Sequence, residues 1–312
     1  MGSLYAFNGD YCDVVWSKLV VIRKGCRSAS IIALWFSLLL NTPLAFGWNA
    51  VGHGVVATIA YEQLSPAEKQ QLQAWIKPLH HYYPVIHDVS TLAVWPDWLK
   101  REGIKAFNRW HYVNRPYGLH HYPIQDTITP SVPNVIWAIE HSENVLVSEK
   151  SNPMMKSAFL GFLLHCVGDI HQPFHAINGY STNHPQGDRG ASDYLVRTKS
   201  HTLRSLHSVW DGGLGLFRRD LDKPMSQQVK NLAHILVKRY PPSYFKQKIK
   251  IEDPSIWARE SYTVAVNVGY GVEEGGDLSE AYIASAQQVV MEQVTLAGYR
   301  LAQLLKKIIK VK

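Results

Sequence analysis

Leu164-His165-Cys166-Val167-Gly168-Asp169-Ile170-His171-Gln172-Pro173-Phe174-His175 decides how this 312-residue chain is read. An apolar run from Ala158 to Leu164 leads into it, long enough with its flanks to form a helix buried on all sides. His165 and Asp169 stand four apart, so a helix projects both from one face. Pro173 cannot continue that helix, and His175 returns from just beyond its C-terminal end. Two histidines and a carboxylate converging there suit a metal ion. The competing reading is a satisfied core histidine with a capping aspartate. A second copy of the spacing, His207-Ser208-Val209-Trp210-Asp211, weighs against packing as the reason for both.

Upstream, Trp48-Asn49-Ala50-Val51-Gly52-His53-Gly54 opens a helical pattern that runs through Val55 to Leu64. Ser65-Pro66-Ala67-Glu68 is a strong helix start, with Ser as cap, Pro at the first position and Glu at the third. His80, His81 and His87 fall in a Pro- and Tyr-rich stretch that reads as a surface loop. Thr91 to Lys100 sets Asp97 between two tryptophans, with Lys100 on the same helical face. A salt-bridged surface pair is the plainer reading, and the apolar flanks argue for partial burial. Trp110 to Asn114 alternates like a short extended segment, which turns His111 away from Tyr112. Residues 134–149 and 224–240 read as amphipathic helices without chemistry of their own.

Asn178 to Ser200 reads as a loop. Its Gln186-Gly187-Asp188-Arg189-Gly190-Ala191-Ser192 offers backbone N–H groups and an Arg to an anion, although loops of this composition are common. Farther on stand Ile256-Trp257-Ala258-Arg259-Glu260-Ser261 and a long helix from Ser279 to about Ile309. Lys306, Lys307, Lys310 and Lys312 at its end suit the helix dipole and a solvated terminus, not a membrane or nucleic-acid hook. No strand-alternating series, dinucleotide-binding glycines or internal repeat appears.

Residues 1–47 read as a signal peptide with an N-terminal extension, removed on maturation. Arg23, Lys24 and Arg27 precede an apolar core, Ile31 to Leu40, and Ala45-Phe46-Gly47 offers a cleavage site just before Trp48. An uncleaved anchor is the competing reading, against which the shortness of the apolar run speaks. Cys12 and Cys26 fall within this segment, leaving Cys166 alone in the mature chain. An exported protein without a disulfide needs another staple, and bound metal would serve. The expected location is periplasmic or secreted. Hydrophobic content of 46 % supports a sizeable core and argues against disorder. Removing residues 1–47 takes four Lys/Arg and two Asp/Glu from totals of 32 and 25, leaving a modest positive excess compatible with an anionic substrate.

Taken together, Trp48, His53, Asp97, His111, His165, Asp169, His175, His207 and Asp211 resemble the ligand set of the zinc-dependent single-strand nucleases with 3′-nucleotidase activity, the S1/P1 type, relatives of the zinc phospholipases C. Trp257-Ala258-x-Glu260-Ser261 and Arg300-Leu301-Ala302 extend the resemblance along the mature chain. It implies an all-α fold, a single compact multi-helix catalytic domain over residues 48–312, with three Zn2+ ions at the bottom of a cleft. One ion would take Asp97, His111, His165 and Asp169; another His175, His207 and Asp211. The third would take the amino and carbonyl groups of Trp48 with His53 and Asp169, making Asp169 a bridge. Asp97, Asp169 and Lys100 would be catalytic, Lys100 steadying transition-state charge.

Departures from the family lie at the base pocket. Tyr112 and Asn114 stand where the nucleases have an aromatic and an Asp, and Gly190-Ala191-Ser192 where they have Gly-Gly-Asn. Asn both donates and accepts, so base preference should differ. The function this implies is an exported endonuclease acting on single-stranded DNA and RNA to leave 5′-phosphates, with 3′-nucleotidase activity. Nucleotides would be further partners, the protein would be a monomer, and the mature chain would not span a membrane. Zinc phospholipase C is the alternative.

Overall fold

The computed structural model describes residues 48–125 and 130–310, which fall in one compact unit built mostly of helices. The readings made for residues 1–47, including Cys12 and Cys26, and for Lys312 lie outside the described residues. In chain order the helices are α1 (Ala50–Glu62), α2 (Pro66–Tyr82), α3 (Val89–Leu92), α4 (Trp95–Arg101), α5 (Val135–Val147), α6 (Pro153–Ile170), α7 (Leu206–Asp211), α8 (Met225–Arg239), α9 (Pro242–Phe245), α10 (Pro254–Val264) and α11 (Glu280–Lys310).

At the centre runs α6, the helix of the opening stretch. From Lys156 to Ile170 only Phe159 is not buried, because no face carries the polar residues that would hold it at a surface. Asn152 caps its start by accepting from Met155 N, and Pro153 occupies the first turn, where no N–H is needed. α5, α2 and α1 pack against it, and α11 lies against α1. The last contact is close: a Cβ on Gly298 of α11 would sit 2.6 Å from the Cβ of Ile59 on α1. None of the described helices is long and apolar enough to cross a membrane.

The Ser65 capping box forms as expected, with Glu68 reaching back to the Ser65 N–H at 2.7 Å. His80 and His81 require a correction, since they are exposed residues in the last turn of α2, not in a loop. Pro78 does not end that helix. Ser157 of α6 accepts from Leu79 N at 3.2 Å and donates to Ile76 O at 3.3 Å, satisfying backbone groups near the proline.

Two small sheets also depart from the sequence reading. β1 (Arg115–Gly118) pairs in parallel with β2 (Ile177–Tyr180), Arg115 opposite Ile177. β3 (Leu195–Arg197) pairs antiparallel with β4 (Leu203–Ser205). Part of the stretch 178–200 is therefore strand, in ladders too short to show alternation. Nor is Trp110 to Asn114 an extended segment throughout. A tight helical turn, Asn108–His111, delivers His111 into the interior before the chain extends at Tyr112.

Candidate metal centre

Four helices and two turns bring their polar residues to one buried place. α1 supplies His53, and its start is fixed by Asn49, whose side chain accepts from Val51 N and Gly52 N at 3.1 and 3.2 Å. Asn49 N also donates to Asp211 O at 2.9 Å, so the first described residues are tied to the end of α7. α4 supplies Asp97 and Lys100. α6 supplies His165 and Asp169, and α7 supplies His207 and Asp211. His111 and His175 come from the helical turns Asn108–His111 and Pro173–His175. All of these except Lys100 are buried.

Asp169 stands in the middle. Its Oδ2 lies 3.0 Å from His111 Nδ1 and 3.1 Å from His165 Nε2, while its Oδ1 lies 3.4 Å from His53 Nε2 and 3.6 Å from His175 Nδ1. His53, Asp97 and His165 converge as one potential ligand group, His111, His165 and Asp169 as a second, and His175, His207 and Asp211 as a third. The grouping of His53 with Asp97 follows from its ring stacking on His165 at 3.8 Å. Gly168 makes that approach possible, since a Cβ there would lie 2.8 Å from His53 Nδ1.

Three of the histidines are oriented by backbone carbonyls. His165 Nδ1 lies 2.7 Å from Ala93 O, His207 Nδ1 2.5 Å from Gly190 O, and His175 Nδ1 close to His111 O. A carbonyl can only accept, so in each neutral ring Nδ1 carries the proton and Nε2 the lone pair. The consequence is visible between His175 and His207, whose Nε2 atoms face each other at 3.1 Å. Two lone pairs repel unless a cation lies between or a proton joins them. Asp97 Oδ1, Asp169 Oδ1 and both ring nitrogens of His53 are buried without a hydrogen bond. Buried polar atoms of this kind are costly, and a set of N and O donors so placed fits metal ions.

The charges pull the same way. Burial lowers His53 to about 4, with the His165 charge adding to the effect. For His165 burial also lowers the pKa, but Asp169 and Asp97 outweigh it and raise it to about 9. Asp169 is held well below the usual carboxylate range, because its histidine neighbours, led by His165 and His175, overcome its burial. Asp211 is pushed well above that range by burial, in spite of the hydrogen bond it accepts from Gln172. A bound dication reverses the last of these and keeps Asp211 ionised. Lys100 is half-buried, lowered by that burial and raised again by Asp97, Asp169 and Asp211.

The other expected site residues fall in two groups. Tyr112 and Asn114 are half-buried on the segment that follows His111. Gly190 and Ala191 are buried and engaged in holding His207: Gly190 O orients its ring, and Ala191 O accepts from its N–H at 3.1 Å. Gly190 sits at φ +63°, where a Cβ would lie 2.4 Å from Phe174 O. Ser192 is half-buried, and its Oγ has no hydrogen-bond partner. The loop around them does not offer its groups to an anion as its composition suggested. Arg189 N and Gly190 N donate to Asn178 Oδ1, Ala191 N donates to Asp188 Oδ1, and the Arg189 guanidinium pairs with Asp193 at 2.5 and 2.7 Å.

Gln172 escaped the sequence reading. Its Nε2 donates to Asp211 Oδ1 at 2.6 Å while its Oε1 accepts from Phe174 N, which joins the two His/Asp stretches. Its position between Asp169 and His175 was the available signal. His171, in the same stretch, faces away from the cluster toward Val167 O and Arg300.

A centre held this way should add to stability when loaded. Binding at about 100 times Kd adds about 2.7 kcal/mol per ion, and each kcal/mol moves Tm by about 2–4 °C at this size. A strong chelator is therefore expected to lower Tm by at least about 5 °C, and added metal to restore it. An unchanged melting curve, with metal removal verified by elemental analysis, would show that the fold draws nothing from the ions.

Comparison with known proteins gives a consistent result. The family described as S1/P1 Nuclease matches residues 48–310. Endonuclease 1 of Arabidopsis thaliana is 27 % identical over 300 residues, covering 89 % of this chain and 92 % of the relative. Endonuclease 5 of the same plant is 28 % identical over 315 residues, covering 89 % and 97 %. Nuclease S1 of Aspergillus oryzae is 26 % identical over 289 residues, covering 83 % and 91 %.

Proposed function

Because the chain belongs to the S1/P1 nuclease family, we propose that it is a zinc-dependent endonuclease that cuts single-stranded DNA and RNA to 5′-phosphate ends and removes 3′-phosphates from nucleotides. The observation that carries this reading is the buried His/Asp cluster, with three potential ligand groups sharing one central carboxylate. Nitrogen and oxygen donors of these types suit zinc, in sets of three or four that leave positions open. The ligands would be Asp97, His111, His165 and Asp169 for one ion, His175, His207 and Asp211 for a second, and Trp48, His53 and Asp169 for a third. When bound, the ions supply Lewis-acid polarisation of a phosphoryl group and activation of water.

The chain's own residues do the rest. Asp97, Asp169 and Asp211 set the charge of the pocket and keep it cationic once three dications are present. Lys100, half-buried and under the influence of all three carboxylates, directs a positive charge toward the equatorial oxygens of the transition state. Tyr112 offers a ring on which an unstacked base can rest, which favours single strands. Asn114 and the unpartnered Ser192 hydroxyl can each donate and accept toward that base. Export is part of the same proposal: the family match begins at Trp48, where cleavage of the leader would expose the mature end. Membership of the nuclease family replaces the phospholipase alternative.

The test is elemental analysis of the mature protein combined with cleavage of single-stranded and duplex DNA. Three zincs per chain and a strong single-strand preference are expected. No cleavage by zinc-loaded protein would overturn the proposal. Tyr112→Ala separates base recognition from chemistry: a stacking contribution of about 1–3 kcal/mol corresponds to a loss of about 5- to 150-fold on single strands. A phosphodiester without a base should lose far less. Equal losses on both would make Tyr112 a support for His111 and not a base platform.

A further inference from the structure

β1 begins four residues after His111, and at its first position stands Arg115, half-buried, with its Nε enclosed and without a hydrogen-bond partner. Among the charges that act on it the largest effect comes from another cation, Arg259, exposed on α10. Burial and Arg259 both lower the Arg115 pKa, and Tyr262 raises it again in part. The acids nearest in sequence to Arg259 are already engaged. Glu260 is paired with Arg300 at 2.6 Å, and Asp253 caps α10 through Ser255 N at 2.7 Å. Asp253 still acts on Arg259, so the uncompensated member of the pair is Arg115, whose enclosed Nε has no partner and would gain one from an anion.

Aromatic rings flank the pair. Tyr117, two positions along β1, lies edge-on to Tyr262 of α10 at 6.2 Å and tilted against Tyr270 at 6.0 Å. Tyr262 Oη donates to Pro116 O at 3.2 Å, tying α10, which carries Arg259, to β1, which carries Arg115. The group is also tied to the metal centre. Val113 N donates to His175 O at 2.7 Å, and Arg115 pairs with Ile177 two residues past His175. Four residues span at most about 14 Å, so His111 and Arg115 lie within the length of a short oligonucleotide.

We propose that Arg115 and Arg259, flanked by Tyr117 and Tyr262, form an anion site that takes a phosphate of the same single strand outside the bond being cut. A cationic pair interleaved with aromatic rings is what sequence-independent single-strand binding requires. Arginine adds two-pronged recognition of phosphate oxygens. The inference rests on the nuclease reading, whose substrate it extends from one phosphodiester to a strand. A dinucleotide or a 3′-nucleotide carries no phosphate besides the one that reacts, so it cannot fill the site.

The experiment compares the metal-loaded mature protein with Arg115→Gln/Arg259→Gln on a 20-residue oligothymidylate and on a thymidine dinucleotide. KM for the oligomer should rise about tenfold, and the slope of log affinity against log salt should fall by about 0.7, one phosphate contact fewer. Turnover of the dinucleotide should stay within twofold, and Arg115→Lys/Arg259→Lys should restore much of the oligomer affinity. An unchanged oligomer KM, or an equal loss on both substrates, would overturn the proposal. Should the unaltered protein cut neither substrate, the nuclease reading fails. Oligomer binding by fluorescence anisotropy then still decides the arginine pair, equal affinities counting against it.

Discussion

Asp169→Asn is expected to abolish hydrolysis of single strands and 3′-nucleotides together, by well over about 100-fold. Losing a residue that merely orients a metal ligand typically costs about 10–100-fold, and Asp169 does more than orient. Each of its oxygens faces two histidines, at 3.0 to 3.6 Å. An amide keeps one of those oxygens but replaces the other with a nitrogen that has no lone pair to give. It also removes one negative charge from a place where dications must be held. Steady-state rates on both substrates, metal content per chain and a circular-dichroism spectrum check this outcome. Near-normal turnover with three metals bound would falsify the bridging role.

The other large effect concerns the amino terminus. As a free α-amino group, with an ordinary pKa of about 7.7–8.0, the nitrogen of Trp48 is a good metal ligand near neutrality. As a peptide nitrogen it is not. Trp48 is fully buried, edge-on to Phe217 at 5.7 Å, and the N–H of the next residue donates to Asp211 O, which holds Trp48 beside a residue of the cluster. A chain produced with extra residues before Trp48 is expected to lack one metal and to be nearly inactive. Trp48→Phe in the correctly cleaved form should keep its metal, because the ligating atoms are backbone and the indole Nε1 has no hydrogen bond to lose. Metal content and single-strand cleavage of both forms decide it, and full activity of the extended form with three metals would remove any need for maturation.

The sequence exposed the cluster because its chemistry lies in residue types at helical spacing. His165 with Asp169 and His207 with Asp211 announce themselves in an apolar setting, and the Ser65 box and α11 follow from local rules. What stayed hidden depends on partners far along the chain. Nothing in Arg115 to Gly118 shows that it pairs with Ile177 to Tyr180, and four-residue ladders carry no readable period. The alternation around His111 was a local coincidence overridden by a tight turn. The helix carries on past Pro78 to His80 and His81, read as loop, because the proline's remedy, Ser157, sits on another helix. Gly168 and Gly190 gave no sign that one admits His53 and the other sets the ring of His207.

Those carbonyl acceptors also determine an order of events. The chain separations they bridge are 72 residues for Ala93 and His165, 64 for His111 and His175, and 17 for Gly190 and His207. Closing such loops costs entropy before any contact repays it, and non-local closures of this kind come late in folding. An unfolded chain therefore has the histidines without the lone pairs aimed at a common point. A cation bound as proposed would meet a folded site, and its binding energy would go to the native state with little lost to stabilising the unfolded one. On the proposed function, metal loading would then be a late step, and the apo protein would have to stand on packing alone.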